Sequence, residues 1–206
     1  MEKLVKIFGS DLRIKLLKLF IFNPEKVFDG EMIIDRVQVK KPLVAKELKN
    51  LLSIGFIKEK QFMKEVNETK RDGSVIATKK RTDGYGANPS FAYFQNLAQF
   101  FVDVSPLNDE EIRRRVELVG RVKLLIVAGI FTQNQDSIVD LFVVADAIKK
   151  QKLDKFVKSI EADTGREIRY TIMDSEEFRE RQTMYDRLVR DVLDFPHKKL
   201  VNKIGA

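Results

Sequence analysis

Apolar residues recur at Leu12, Leu16, Leu19 and Phe20, the three- and four-residue spacing of one helix face. Ser10 stands ahead of them as an N-cap, and Asn23-Pro24 closes the run. Asp29 predicts the cap of a short second helix whose apolar side is Met32, Ile33, Ile34 and Val37. Pro42 suits the first turn of a third helix, where its missing N–H costs nothing. Leu43, Leu48, Leu51 and Leu52 form that helix's apolar side, and Gly55 supplies a left-handed stop. The pattern then loses its helical period. Residues 56–62 read as a strand, 67–74 as a polar hairpin tip with Asp72-Gly73 as the turn signal, and 75–80 as the returning strand.

Farther on, 95–102 reads as a helix, Pro106 breaks the chain, and Asn108 caps a helix over 109–119. Nearly continuous apolar runs at 122–130 and 138–144 predict buried strands, separated by a turn at 133–136. A helix over 147–162 carries Leu153, Phe156, Val157 and Ile160 on one face and ends at Gly165. Ile168, Tyr170 and Ile172 alternate as a half-buried strand. Asp174 and Glu177 suggest a capping box for one helix reaching Pro196, with Phe178, Tyr185, Leu188, Val189 and Val192 inward. A last strand is expected over 199–204. The prediction is an α+β chain with one domain over 1–104 and a small α/β domain over 108–206.

Composition narrows the chemistry. The chain has 206 residues, no cysteine and one histidine, His197. Disulfides, thiolate metal sites, cysteine nucleophiles and multi-histidine metal sites are excluded. His197, in a Pro-His-Lys turn, is assigned no role. No apolar run reaches the roughly 18 residues that span a bilayer, and the N-terminus lacks a signal-peptide layout. A soluble, cytoplasmic protein with no membrane partner and no cofactor is expected. Net charge is +7, and its distribution is uneven. Residues 1–106 hold 19 Lys/Arg against 13 Asp/Glu; residues 107–206 hold 19 against 18. A basic surplus confined to one half suits a polyanion partner for that half, and serves solubility equally well.

Helix, helix, glycine-closed helix and basic hairpin follow one another in the order of a winged helix. The stretches 8–17 and 44–57 resemble winged helix-turn-helix repressors of the metal-sensor type, whose recognition helix ends in Leu-x-x-x-Gly-Leu-Ile; here Phe56 stands in the Leu place. The resemblance implies a recognition helix over about 40–54 and a wing over about 56–81. Lys40, Lys41, Lys46 and Lys49 would meet phosphates, Asn50 would read a base edge, and Gln38 and Lys40 sit where base contacts begin. Lys70 and Arg71 would reach a minor groove from the hairpin tip, and Lys79, Lys80 and Arg81 would track the backbone. The same side chains also fit a plain solvated surface. Arg113, Arg114 and Arg115 read as a solvated face or as ion-pair donors. Phe91, Tyr93, Phe94, Phe100 and Phe101 are either ordinary core or a dimer interface; a two-fold dimer would match a palindromic operator.

Residues 108–206 resemble the minimal nucleotidyltransferase fold related to the DNA polymerase beta family. Active members carry Gly-Ser after the first strand and Ser-Asp-x-Asp-Leu at the second. Here the second stretch is Ser137-Ile138-Val139-Asp140-Leu141, so Asp140 fits the second carboxylate while Ile138 occupies the place of the first. The Gly-Ser place is nearest to Ala128-Gly129-Ile130, which has no serine. Two aspartates two apart on a strand hold a metal pair for in-line phosphoryl displacement. Asp136, four residues away, would lie roughly 13 Å off on a regular strand. The implied domain is catalytically inactive, with Asp140 a vestige. The stretch 165–179 resembles such domains when fused behind a winged helix in prokaryotic regulators. The whole chain therefore reads as a sequence-specific regulator binding double-stranded DNA as a homodimer, answering to a small-molecule or protein effector. A Mg-dependent nucleotidyltransferase and an antitoxin-like protein-interaction module are the alternatives.

Overall fold

A computed structural model describes residues 2–69, 75–104, 107–134 and 136–205. The chain is mixed α and β and divides into two compact units, Met1–Val102 and Asp103–Ala206. No helix among the described residues is long and apolar enough to cross a membrane.

The first unit opens with α1 (Glu2–Phe8), α2 (Asp11–Phe22), β1 (Val27–Phe28), α3 (Gly30–Val37) and α4 (Lys41–Ser53). Ser10 Oγ accepts from the Arg13 N–H at 3.0 Å, and Asp29 Oδ1 accepts from the Met32 N–H at 2.8 Å, so both expected N-caps form. α4 starts without a side-chain cap but has a proline in its first turn. It ends in a Schellman pair: the Phe56 N–H donates to Leu51 O at 3.0 Å, and the Gly55 N–H to Leu52 O at 2.9 Å, with Gly55 at φ +75°. α1 and β1 were not expected. Neither a seven-residue helix nor a two-residue strand is long enough for its apolar spacing to stand out.

Two long strands follow, β2 (Ile57–Thr69) and β3 (Val75–Ala87), and then α5 (Phe94–Asp103). The hairpin is longer than the expected 56–81. The returning strand runs on to Ala87 because Val27 and Phe28 pair antiparallel with Gly86 and Tyr85, giving a sheet of order β1-β3-β2. Gly84 is needed there: a Cβ at this position would stand 2.8 Å from the Phe28 carbonyl oxygen. The core gathers Ile14, Phe20, Phe28, Ile33, Leu48, Leu51 and Phe56 with Phe94 and Phe101 of α5. The aromatic run is therefore mainly this unit's own core, with Phe91 and Phe100 packed against it; Tyr93 remains exposed. Lys18 is 1% exposed in α2, its ammonium 5.8 Å from the Phe101 ring centroid.

The second unit comprises α6 (Asp109–Val116), β4 (Arg121–Val127), a 3-10 turn at Gly129–Phe131, β5 (Leu141–Asp146), α7 (Lys150–Thr164), β6 (Tyr170–Met173), α8 (Ser175–Thr183), α9 (Arg187–Asp194) and β7 (Lys198–Asn202). The sheet order is β6-β5-β4-β7; β5 and β6 are parallel, the other pairs antiparallel. Both faces are covered, which explains the unbroken apolar runs. Leu125, Val127, Leu141 and Val143 pack with Val116, Phe156 and Ile160 on one side. Leu124, Ile126, Phe142 and Val144 pack with Phe178, Val189 and Val192 on the other. Two expectations need correction. The second strand begins at Leu141, so Ile138 lies outside it. The last helix is two helices, because Tyr185 takes φ +53° and Asp186 caps a new start, its Oδ1 accepting from the Val189 N–H at 3.1 Å.

Candidate nucleic-acid interface

α4 carries two unlike faces. Val44, Glu47, Leu48 and Leu51 are buried, while Lys41, Lys46, Lys49 and Asn50 are exposed. Positions 42, 46, 49 and 53 fall on one side at helical spacing, with Asn50 beside them one turn beyond Lys46. Lys41, Lys46 and Lys49 make no ion pair among the described residues. Lys40 is exposed just ahead of the helix. Gln38 precedes it at φ 56°, with its side-chain amide donating to the Asp35 carbonyl.

The buried charge on this helix was not anticipated. Glu47 is only 8% exposed, and its Oε1 stands 2.5 Å from Arg13 Nε on α2. The hydrogen bond to Glu47 leads the causes that raise the Arg13 pKa, against the effect of burial. Arg13 also donates from Nη1 to the Phe8 carbonyl at 3.1 Å. On its other oxygen, Glu47 accepts from Asn50 Nδ2 at 3.3 Å. A line of four groups thus runs from the end of α1 through α2 to the exposed side of α4. The sequence signal for it is a glutamate at the spacing of Val44, Leu48 and Leu51, where an apolar residue is expected.

The hairpin lies next in sequence. Register places Lys79 opposite Glu65, Lys80 opposite Lys64 and Arg81 opposite Met63. Lys79, Lys80 and Arg81 are exposed, and Lys79 stands 4.0 Å from Glu65. Because neighbouring residues alternate faces, Lys80 shares a face with Lys64, Lys60 and Lys58, while Lys79 and Arg81 share one with Glu65 and Asp83. Lys64 is not free for a ligand: it reaches Asp29 Oδ2 at 2.6 Å. Burial works to raise the Asp29 pKa, but hydrogen bonds from Lys64 and from the Met32 N–H outweigh it and the pKa is lowered. Lys70 and Arg71 lie outside the described residues.

Asp140 is the other candidate, in the second unit. Its carboxylate is 1% exposed and accepts from the Ile130 N–H at 3.1 Å, the Arg169 N–H at 2.9 Å, Arg169 Nε at 3.1 Å and Arg169 Nη2 at 3.0 Å. Its own peptide group is held too, with N–H donating to Arg169 O at 2.7 Å and O accepting from the Ala128 N–H at 3.0 Å. The hydrogen bond to Asp140 raises the Arg169 pKa, while burial lowers that of nearby Arg166. Gly129 is at φ +53°, and a Cβ there would lie 2.0 Å from Asp140 Oδ1. Ile138 is exposed and Asp136 precedes the strand, so a face-by-face strand geometry does not relate either to Asp140. Arg115 pairs with Asp163 at 2.6 Å and with Glu111, and Arg113 with Glu110. Among the described residues no group of three or more His, Asp or Glu side chains is placed to hold a metal ion.

No protein-family model matches this chain, and a search of curated proteins finds no match to it.

Proposed function

We propose that the chain is a sequence-specific regulator of transcription that binds double-stranded DNA through its first unit, as a winged helix-turn-helix. The observation that carries the reading is the exposed side of α4. There Lys46 and Lys49, with no ion pair among the described residues, lie beside Asn50 on a helix closed by Gly55, and Lys41 is exposed in its first turn. A long hairpin with cations at Lys79, Lys80 and Arg81 follows directly. Lysines on an exposed helix bind phosphates without regard to sequence, and an amide beside them reads a base edge. The helix serves as the recognition helix and the hairpin as the wing. A homodimer presents two such helices to a palindromic site.

In this reading the second unit is a nucleotidyltransferase-like domain without activity, serving as a sensor or assembly module. Asp140, the residue that matches a metal-binding carboxylate, commits its oxygens to Arg169 and to two backbone N–H groups. A guanidinium stands where a divalent cation would have to bind.

Selection of bound duplexes from a random pool tests the proposal. The expected product is a palindrome whose half-sites are centred about 34 Å, one duplex turn, apart or a multiple of that. Affinity for it should fall steeply as salt rises, because neutralised phosphates release counterions. Enrichment of nothing, together with no salt-sensitive duplex binding, overturns it.

A further inference from the structure

We infer that Asn50 reads an adenine in the major groove, and that Glu47 and Arg13 are positioning residues that hold its amide in the reading orientation. The inference rests on the duplex-binding proposal and adds to it the base recognised and the mechanism of its recognition.

The orientation of an asparagine amide is usually ambiguous, because its oxygen and nitrogen look alike. Here chemistry decides it. The Glu47 carboxylate paired with Arg13 only accepts hydrogen bonds, so the Asn50 atom facing it at 3.3 Å is the nitrogen. A primary amide has two N–H bonds and one carbonyl oxygen. With one N–H given to Glu47, Asn50 keeps one donor and one acceptor for solvent or ligand. Adenine offers the complement in the major groove, the N7 acceptor and the N6 donor. Guanine offers two acceptors there, N7 and O6, and would leave the Asn50 oxygen facing another acceptor.

The support behind Asn50 is what separates it from an ordinary surface amide. Glu47 is buried, and Arg13 is itself fixed at its far end by the Phe8 carbonyl at 3.1 Å. Each link removes rotamers that a free side chain would lose on binding. The neighbours suit the task as well: Lys46 and Lys49 lie beside Asn50 on the exposed face, where they can meet phosphates next to the base.

The probe is the duplex enriched by selection, with each adenine replaced in turn by 7-deazaadenine, which lacks only the N7 acceptor. One adenine per half-site should be sensitive, weakening binding by roughly 5- to 150-fold, the range one good bidentate base contact contributes. Asn50→Ala should bind substituted and unsubstituted duplexes equally. Glu47→Ala should lose the same sensitivity. Glu47→Gln leaves one acceptor oxygen for two donors; with Arg13 holding that oxygen, the new NH2 faces Asn50 and turns its amide over, so the sensitivity should be lost there too. Melting curves verify that each variant is folded; if Glu47→Ala is not, the exposed Asn50→Ala and the Glu47→Gln variant carry the test. Retention of the 7-deazaadenine effect by Asn50→Ala, or a selected site with no sensitive adenine, overturns the inference while leaving duplex binding in place. A chain that binds no duplex at all overturns both.

Discussion

At Asp140 a carboxylate that is almost wholly removed from water is compensated on the spot by one guanidinium and two backbone donors. Burying such a charge is tolerable only because the pairing is complete. Asp140→Asn keeps the shape, removes the charge and turns one acceptor into a donor that faces other donors. It should destabilise the second unit by about 1–3 kcal/mol, the cost of leaving buried polar groups unpaired, read as a lowered urea midpoint with unchanged slope. An unchanged midpoint would mean that the Arg169 pair contributes nothing to stability. Asp140 was picked out in the sequence by the resemblance of 137–141 to Ser-Asp-x-Asp-Leu, as the match to the second carboxylate. Arg169 was not, because it lies 29 positions away and the two meet only when β5 and β6 align in parallel. Glu47 and Arg13 went unread for the same reason: their meeting depends on how α2 packs against α4.

At the scale of elements, local signals were good guides wherever a cap or a stop was written into the chain. Ser10, Asp29, Asn108, Asp174 and Gly55 all act as the sequence suggests. The capping box is only half formed: Asp174 caps α8, while Glu177 turns to Arg181 at 2.9 Å. Boundaries moved where tertiary pairing decided them, as in the continuation of β3 to Ala87 beside β1 and the late start of β5. The split between α8 and α9 was hidden because Tyr185 is not a residue that advertises a left-handed turn. Gly55 allows a clean measurement. Nothing lies within 4 Å of a Cβ added there, so Gly55→Ala meets only the conformational penalty of φ +75°. The expected loss is about 1 kcal/mol, seen as a lower denaturation midpoint of the first unit. A neutral result would show that the α4 end relaxes to a different closure.

For the whole molecule, charge is divided between the two halves, and the division gives the duplex-binding proposal a control. Replacing Lys46 and Lys49 together by alanine should lower the slope of log affinity against log salt by about 1.8, roughly 0.9 for each phosphate no longer neutralised. Arg114→Ala, which removes an exposed cation from α6 in the nearly neutral half, should leave the slope unaltered. Equal effects from both changes would point to diffuse attraction rather than an interface on α4. The sequence made the asymmetry plain from its counts alone, and it made the two-sheet α+β composition plain from its periodicities. It said nothing of which lysines would be tied up internally; Lys64, engaged with Asp29, reads in the sequence like any other cation of the hairpin.

The close approach of Gly84 to the Phe28 carbonyl has a mechanical consequence. Thirteen residues per strand make the hairpin up to about 43 Å long, and β1 grips only the base of β3. The ribbon is therefore a lever whose fulcrum is the glycine seam at the sheet. From Gly84 to Val75 the arm is about 30 Å, so a rotation of about 5° at that seam carries the far end of β3 through about 2.6 Å. Aim at a distance is set by one missing methyl group at the hinge.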